Sequence, residues 1–283
     1  MRAYKACAHA IKFPLANLFN CSVTSGVFPS SFKTARVTPL HKGGDPSSPS
    51  NYRPISILPF LSKLFEKLIY KRIYSYLVKF NLLNDMQFGF RSGHSTGDAL
   101  ISLTDQIYHN LHLKFSNILI TLDYSKAFDT VSHQILLKKL DYYGIRGFML
   151  YWFQSYLHNR LQFVRIGGCS SAELICPMGV PQGSILGPLL FIIYTNDFFN
   201  CLQSSRSICY ADDTSLILAD SNNEQLFMRA NQELSHVHDW LCINKLQLNA
   251  SKSNYILISN KKAAHLPLRV GTQLISRASQ TKI

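Results

Sequence analysis

Three aspartates hold the chemistry that this sequence could perform. Asp123 closes an almost wholly apolar run, and Asp212 and Asp213 stand side by side far along the chain. Taken alone, an Asp-Asp pair reads as a solvated turn. A second carboxylate at the end of a buried strand changes that reading, because strand ends in one sheet lie about 5 Å from their neighbours and bring such groups into a shared site. Three crowded carboxylates repel one another unless divalent cations neutralise them. The set suits two Mg²⁺ ions about 3.5 to 4 Å apart, with Mn²⁺ as a substitute, clamping the attacking and leaving oxygens of an in-line phosphoryl displacement.

Positioning such groups requires a sheet, and the patterning predicts one. Residues 118–122 are β-branched or leucine and short enough for a buried central strand ending at Asp123. Residues 207–211 and 214–218 flank Asp212-Asp213 as a hairpin with the acidic pair at its turn. Upstream, Leu61, Leu64, Phe65, Leu68, Ile69, Ile73, Tyr76 and Leu77 recur at helical spacing. A second helix is expected after Asp98, with Leu100, Leu103, Ile107 and Leu111 on one face. Ser132 is placed to cap a helix that stops at Gly144, and Pro188 to open one through Ile193. Strands are expected at 161–166 and 172–176 around Gly167-Gly168, and a last short one at 255–258. Ser221 and Glu224 read as a capping box before a helix carrying Leu226, Ala230, Leu234, Val237 and Leu241. Residues 43–50 form a turn-rich loop. Helices and strands in this order predict an α+β fold rather than strict βαβ alternation.

Composition narrows the class of protein. With 283 residues, 47% hydrophobic and 16% charged, the chain can fill a core of one large or two ordinary domains, which excludes wholesale disorder. No apolar stretch approaches the ~18 to 20 residues that would span a bilayer as a helix. The net charge of +13 is placed at the ends: residues 1–44 hold six basic residues and no acid, and seven basic residues without an acid follow Asp239. Basic ends around a neutral middle suit a polyanion, and a solubilising excess of lysine is the plainer alternative. Arg2, Lys5 and Lys12 would also fit a mitochondrial transit helix, although the segment runs unbroken into chain that reads as folded by Phe32. Seven cysteines without a C-x-x-C point to reduced thiols in an intracellular protein of the nucleus or cytoplasm. His109/His112 and His236/His238 match no metal motif, and Cys169 and Cys176 stand too far apart for half of a zinc knuckle.

Six ordered blocks carry a family resemblance. They are Asn51-Tyr52-Arg53-Pro54-Ile55-Ser56, the run Gln87-Phe88-Gly89-Phe90-Arg91-Ser92-Gly93-His94-Ser95-Thr96, and Leu122-Asp123-Tyr124-Ser125-Lys126-Ala127-Phe128-Asp129. The others are the loop from Gly179 to Pro188, Tyr210-Ala211-Asp212-Asp213, and Leu248-Asn249 followed by Lys252. From about Phe32 onward the chain resembles the reverse transcriptase domain of non-LTR (LINE-type, Jockey-like) retrotransposons. The resemblance implies a right-hand polymerase with fingers at 32–115 and palm at 116–283, residues 131–168 forming a helical segment toward the fingers. Residues 1–31 are then a basic lead-in. Residues 279–283 resemble the lead-in to the primer grip; the thumb is not expected in this stretch, nor is there room before Phe32 for the family's endonuclease.

The same resemblance implies roles for particular residues. Asp123 and Asp212 would hold both metals, with Asp213 as a neighbouring carboxylate and the Tyr124 carbonyl as a further oxygen ligand. Arg53 and Lys42 would grip the triphosphate, Phe128 would stand against a ribose 2′-hydroxyl, and Gln182 and Gly183 would approach the new base pair. Lys252 would protonate the departing pyrophosphate. RNA template, DNA primer and deoxynucleoside triphosphates are the implied partners. Each role has a plainer counterpart: surface charges at Arg53 and Lys42, a core ring at Phe128, a solvated lysine at 252, a tight turn before a helix at 182–183. Ser132 stands where relatives often have Asp. Two other functions stay open on sequence: an inert element remnant that binds RNA or RNA-DNA hybrid, and a two-metal nuclease, which would need no template-reading loop.

Overall fold

A computed structural model describes residues 7–259 and 266–279 of the chain. Helix α1 (Ala8–Ser25) is followed by strands β1 (Thr34–His41) and β2 (Tyr52–Ile57) and helix α2 (Phe60–Lys79). Helix α3 (Thr96–His112) leads into strand β3 (Ser116–Leu122), then helices α4 (His133–Tyr142) and α5 (Phe148–Leu157). Strands β4 (Arg160–Ile166), β5 (Cys169–Ser170) and β6 (Leu174–Cys176) precede helix α6 (Leu186–Thr195). Strands β7 (Arg206–Tyr210) and β8 (Asp213–Asp220), helix α7 (Asn223–Ile243), and strands β9 (Asn254–Ile258), β10 (Leu268–Val270) and β11 (Gln273–Arg277) complete the sequence of elements. The fold is α+β, as the element order predicts. Arg2, Lys5 and residues 280–283 lie outside the described residues.

Two compact units divide the chain, residues 1–82 with 128–193 and residues 83–127 with 194–283. Each sheet recruits strands that are distant in sequence. The first unit holds a sheet ordered β2-β1-β4-β5, with β6 also paired to β4, on the edge away from β1. Strand β1 pairs antiparallel with β2, across the turn-rich loop, and parallel with β4. Packed structure begins well before Phe32: Phe19 of α1 stacks on Phe65 of α2 at 4.3 Å, and Trp152 donates its indole N–H to Ser22 Oγ at 3.0 Å. Phe65, Ile69, Ile73 and Leu77 face inward at the predicted helical spacing, whereas Leu68 is exposed.

In the same unit, α6 starts at Leu186, two residues ahead of Pro188. The buried Glu66 carboxylate accepts the N–H groups of Ile185 at 2.7 Å and Leu186 at 3.2 Å, and Ser184 Oγ accepts that of Gly187 at 3.0 Å. A tertiary contact thus does what a local proline signal was expected to do. Burial pushes the Glu66 carboxyl up from its ordinary range, against the pull of those backbone bonds. Ser132 occupies the N-cap position of α4 without a side-chain cap bond.

The second unit is built on a six-stranded sheet ordered β10-β11-β9-β3-β8-β7. Strand β3 lies between β9 and β8, antiparallel to both, and is buried along nearly its whole length. Its apolar run follows from that position: Leu119, with Ile208 and Ile217, packs against Phe88, Ala99, Leu103 and Ile107 on the α3 side. Side chains alternate along a strand, so Ile118 and Ile120 face the opposite layer, where α7 buries Leu226, Phe227, Ala230, Leu234 and Val237. Helix α3 begins earlier than expected, with Ser95 as N-cap and Asp98 closing a capping box, which turns Ala99 inward and leaves Leu100 exposed. Asn222, rather than Ser221 with Glu224, caps α7, its side chain accepting the N–H groups of Glu224 and Gln225. Strand β9 is not the last strand, since β10 and β11 follow with only three and five residues, too short for a period to stand out.

Candidate active site

Sheet register brings the distant aspartates together. Strands β3 and β8 pair down to Leu122 opposite Thr214, so Asp123 follows and Asp213 precedes the last pair of that register. Residues paired in such a register have Cβ atoms about 5 Å apart. On the other side of β8, Tyr210 pairs with Asp213, leaving Ala211 and Asp212 as the two-residue turn. The turn is therefore one residue earlier than the expected Asp212-Asp213, and Asp213 is the first strand residue. Ala211 has a φ of +60°, the left-handed value that a II′ hairpin turn requires at its first central position and that glycine ordinarily supplies.

Asp123, Asp213 and Lys252 line one cavity of about 290 Å³ together with Thr121, Tyr210 and Asn254. The Asp213 carboxyl is pushed up from its ordinary range by burial, then by the charges of Asp212 and Asp123. Asp212 thus belongs electrostatically to the same cluster. Asp123 is fixed through its backbone, donating its N–H to Ser253 Oγ at 3.1 Å and accepting the Asn249 N–H at 2.8 Å. The Asn249 carbonyl in turn accepts from the N–H groups of Lys252 at 3.1 Å and Ser253 at 2.9 Å, and from Ser253 Oγ at 3.0 Å. This compact turn holds Lys252 at the cavity. Its motif was legible in Leu248-Asn249 and Lys252, but the contribution of Ser253 was not, because a lone serine carries no pattern.

Tyr124 is buried, its hydroxyl 3.2 Å from Thr214 Oγ1, and burial drives that hydroxyl far up from its ordinary pKa. It forms an antiparallel bridge with Leu248 whose two bonds run through Asp123 and Ser125. The Tyr124 carbonyl therefore points away from residues 247–249. Among the described residues no three His, Cys, Asp or Glu side chains close on one point as a finished metal cage. The fit to divalent cations lies in the donor chemistry: three hard oxygen donors on adjacent strand ends, with a mutual repulsion that a dication relieves.

The remaining candidates belong to the first unit. Arg53 lies exposed on β2, opposite Leu40, and Lys42 is exposed at the start of the β1–β2 loop, its N–H donated to the Asn51 carbonyl at 2.8 Å. Phe128 is half-buried and stacks on Phe191 with ring centroids 4.6 Å apart, the packing that its plainer reading expects. Gln182 donates its amide to Asp129 Oδ1 at 2.9 Å, and its carbonyl accepts the Ser56 N–H at 2.7 Å. Gly183 has a φ of +116°, and a Cβ there would stand 2.6 Å from the Ser56 carbonyl oxygen, so the loop is glycine-dependent twice over.

A central antiparallel sheet with carboxylates at facing strand ends defines a polymerase-like palm, and sequence comparison agrees. Residues 40–280 match the family described as reverse transcriptase (RNA-dependent DNA polymerase), and the chain belongs to that family. It is 31% identical to the probable RNA-directed DNA polymerase from transposon BS of Drosophila melanogaster over 95% of this chain and 31% of that protein. It is also 31% identical to the RNA-directed DNA polymerase from mobile element jockey of the same species, over 89% of this chain and 28% of the relative. The chain thus spans about a third of these relatives. Among solved structures, a truncated apo telomerase from Candida tropicalis superposes with a TM-score of 0.58 at 16% identity, covering 92% of this chain and 57% of that one. Telomerase from Candida albicans gives 0.60 at 13% identity, over 89% and 47%. At such identities these two establish the fold alone.

Proposed function

We propose that this domain extends a DNA primer along an RNA template by successive transfer of deoxynucleotides to the primer 3′-hydroxyl. The observation that carries the reading is that Asp123 and Asp213, next to the last β3·β8 pair, line one cavity with Lys252. Similarity to the RNA-directed DNA polymerases of BS and jockey supports the same assignment. Two bound Mg²⁺ ions would activate the primer hydroxyl and neutralise the leaving pyrophosphate. Asp123 and Asp212 would supply their hard oxygen donors, with Asp213 and the Tyr124 carbonyl beside them. Lys252 would donate a proton to the departing pyrophosphate. Arg53 and Lys42 would bind the triphosphate, Gln182 and Gly183 the new base pair, and Phe128 would exclude the ribose 2′-hydroxyl. In this reading residues 32–115 act as fingers and 116–283 as palm. The enzyme would work inside the cell, in nucleus or cytoplasm, where its seven thiols stay reduced.

The test is extension of a labelled DNA primer annealed to an RNA template, with Mg²⁺ and deoxynucleoside triphosphates. Extension that requires the metal and disappears in Asp212→Asn supports the proposal. Binding of the hybrid without extension, or shortening of the primer, overturns it.

A further inference from the structure

One sequence block has no role in the chemistry above, although it touches the catalytic hairpin. Strand β7 is the last strand of its sheet, and residues 86–88 run alongside it. Gln87 pairs with Cys209 in a parallel bridge, Phe88 N–H donates to the Cys209 carbonyl at 2.8 Å, and Cys209 N–H to that of Met86 at 2.9 Å. The buried Gln87 side chain then reaches the turn itself. Its Oε1 accepts the Ala211 N–H at 3.0 Å and the Gly89 N–H at 2.8 Å, while its Nε2 donates to the Ala211 carbonyl at 3.3 Å. One amide therefore grips both backbone groups of the residue immediately before Asp212.

Ala211 is also the strained residue of the hairpin. A positive φ at alanine is disfavoured by the clash of Cβ with the backbone, and a turn of this kind is free to relax unless its surroundings over-determine it. A primary amide is suited to that task. It donates and accepts at once, and it is neutral, whereas a glutamate in its place could not donate to the Ala211 carbonyl and would add charge beside three carboxylates. Gly89 completes the contact: a Cβ there would overlap the Ala211 nitrogen and lie 2.8 Å from its Cα, so only glycine lets the segment come this close.

We propose that Gln87 is a positioning residue for the catalytic hairpin: it holds Ala211 in the left-handed conformation and thereby sets the direction in which the Asp212 and Asp213 carboxylates point. The inference rests on the polymerase reading above. It assigns to the Gln87-Phe88-Gly89 block a function in orienting the metal-binding carboxylates rather than in contacting substrate.

The test compares wild type, Gln87→Met, which keeps length and removes the amide, and Gln87→Met with Ala211→Gly, which relieves the strain that the amide opposes. In Gln87→Met, kcat for primer extension should fall about ten- to a hundred-fold, as for loss of an outer partner of a metal site. The KM values for nucleotide and primer-template should stay within about two-fold, and half-saturating Mn²⁺, read by paramagnetic binding as well as by activity, should rise. Ala211→Gly should restore much of both losses. A Gln87→Met protein that melts earlier yet keeps its kcat and Mn²⁺ affinity overturns the proposal, as does a double variant with no recovery. If Gln87→Met fails to fold, wild-type hydrogen exchange decides: an Ala211 amide protected like the β8 amides supports the grip, and one exchanging like an open turn overturns it. If wild type does not extend primers, the polymerase reading fails, while Mn²⁺ binding and amide protection still decide the role of Gln87.

Discussion

Two carboxylate sites in the second unit meet opposite surroundings. At Glu233, inside α7, the carboxylate accepts the N–H groups of Gln203 at 3.0 Å and Ser204 at 2.7 Å and the hydroxyls of Ser204 at 3.0 Å and Ser205 at 2.8 Å. Burial raises its pKa, but these bonds outweigh it and hold the group below its ordinary range. At the strand ends, Asp213 meets the charges of Asp212 and Asp123 instead, and its pKa rises. A carboxylate surrounded by donors is part of the scaffold, whereas carboxylates surrounded by one another carry a repulsion that the fold itself leaves in place. Glu66, in the first unit, stands between: two backbone N–H groups and the Ser62 hydroxyl reach it, and its burial still outweighs them.

The contrast can be broken most sharply at the cluster. Asn substitution of Asp123 or Asp212 should lower primer extension by more than about a thousand-fold, because the oxygen donors to the reacting centre are lost. The melting temperature should hold or rise, since like charges are removed; unfolding of Asp123→Asn would mean that this carboxylate is scaffold after all. Glu233→Ala should do the reverse. It removes the buried carboxylate that collects the hydrogen bonds of residues 203–205 and should cost about 3 kcal/mol, read as a fall of roughly 8 °C in melting temperature, with activity per folded molecule retained.

A smaller effect separates the two kinds of site by ligand. Mg²⁺ at ten times its dissociation constant should stabilise the wild type by about 1.4 kcal/mol, seen as an upward thermal shift that Asp123→Asn abolishes and Glu233→Gln keeps. The smallest is a pair of opposed pH slopes. The stabilisation contributed by Glu233 is present above its unfolded value near 4.5 and is lost as pH falls through its lower folded pKa. That of Glu66 is present below 4.5 and is lost as pH rises through its higher folded pKa. Urea unfolding across a pH series, comparing wild type with Glu233→Gln and Glu66→Gln, should therefore give difference curves of opposite slope, and slopes of one sign would refute the distinction.

Much of the second unit could be read in advance. The run at 118–122 announced a strand buried on both faces, and it is one, because the central position in a sheet between two helical layers permits no polar alternation. Where the sequence misled, a tertiary contact or a competing cap had replaced a local signal. Pro188 pointed to a helix start that Glu66 moves to Leu186, Asp98 is an interior member of the cap that Ser95 leads, and Asn222 takes the place offered to Ser221. The first unit was less legible, since Phe19 and Ser22 join its core from a segment whose basic residues suggested only a lead-in.

By itself the amino-acid sequence determined the elements whose periodicity is local, the order of the six motif blocks, and the identity of the acidic residues. Only the tertiary structure decided that Asp123 and Asp213 share one cavity, that the hairpin turns at Ala211-Asp212, and that Gln87 grips this turn from 124 positions away in the chain. The physical reason is that helical and strand periods are written in neighbouring side chains. Register and amide contacts, by contrast, are settled by whichever distant backbone groups would be left unpaired in the interior.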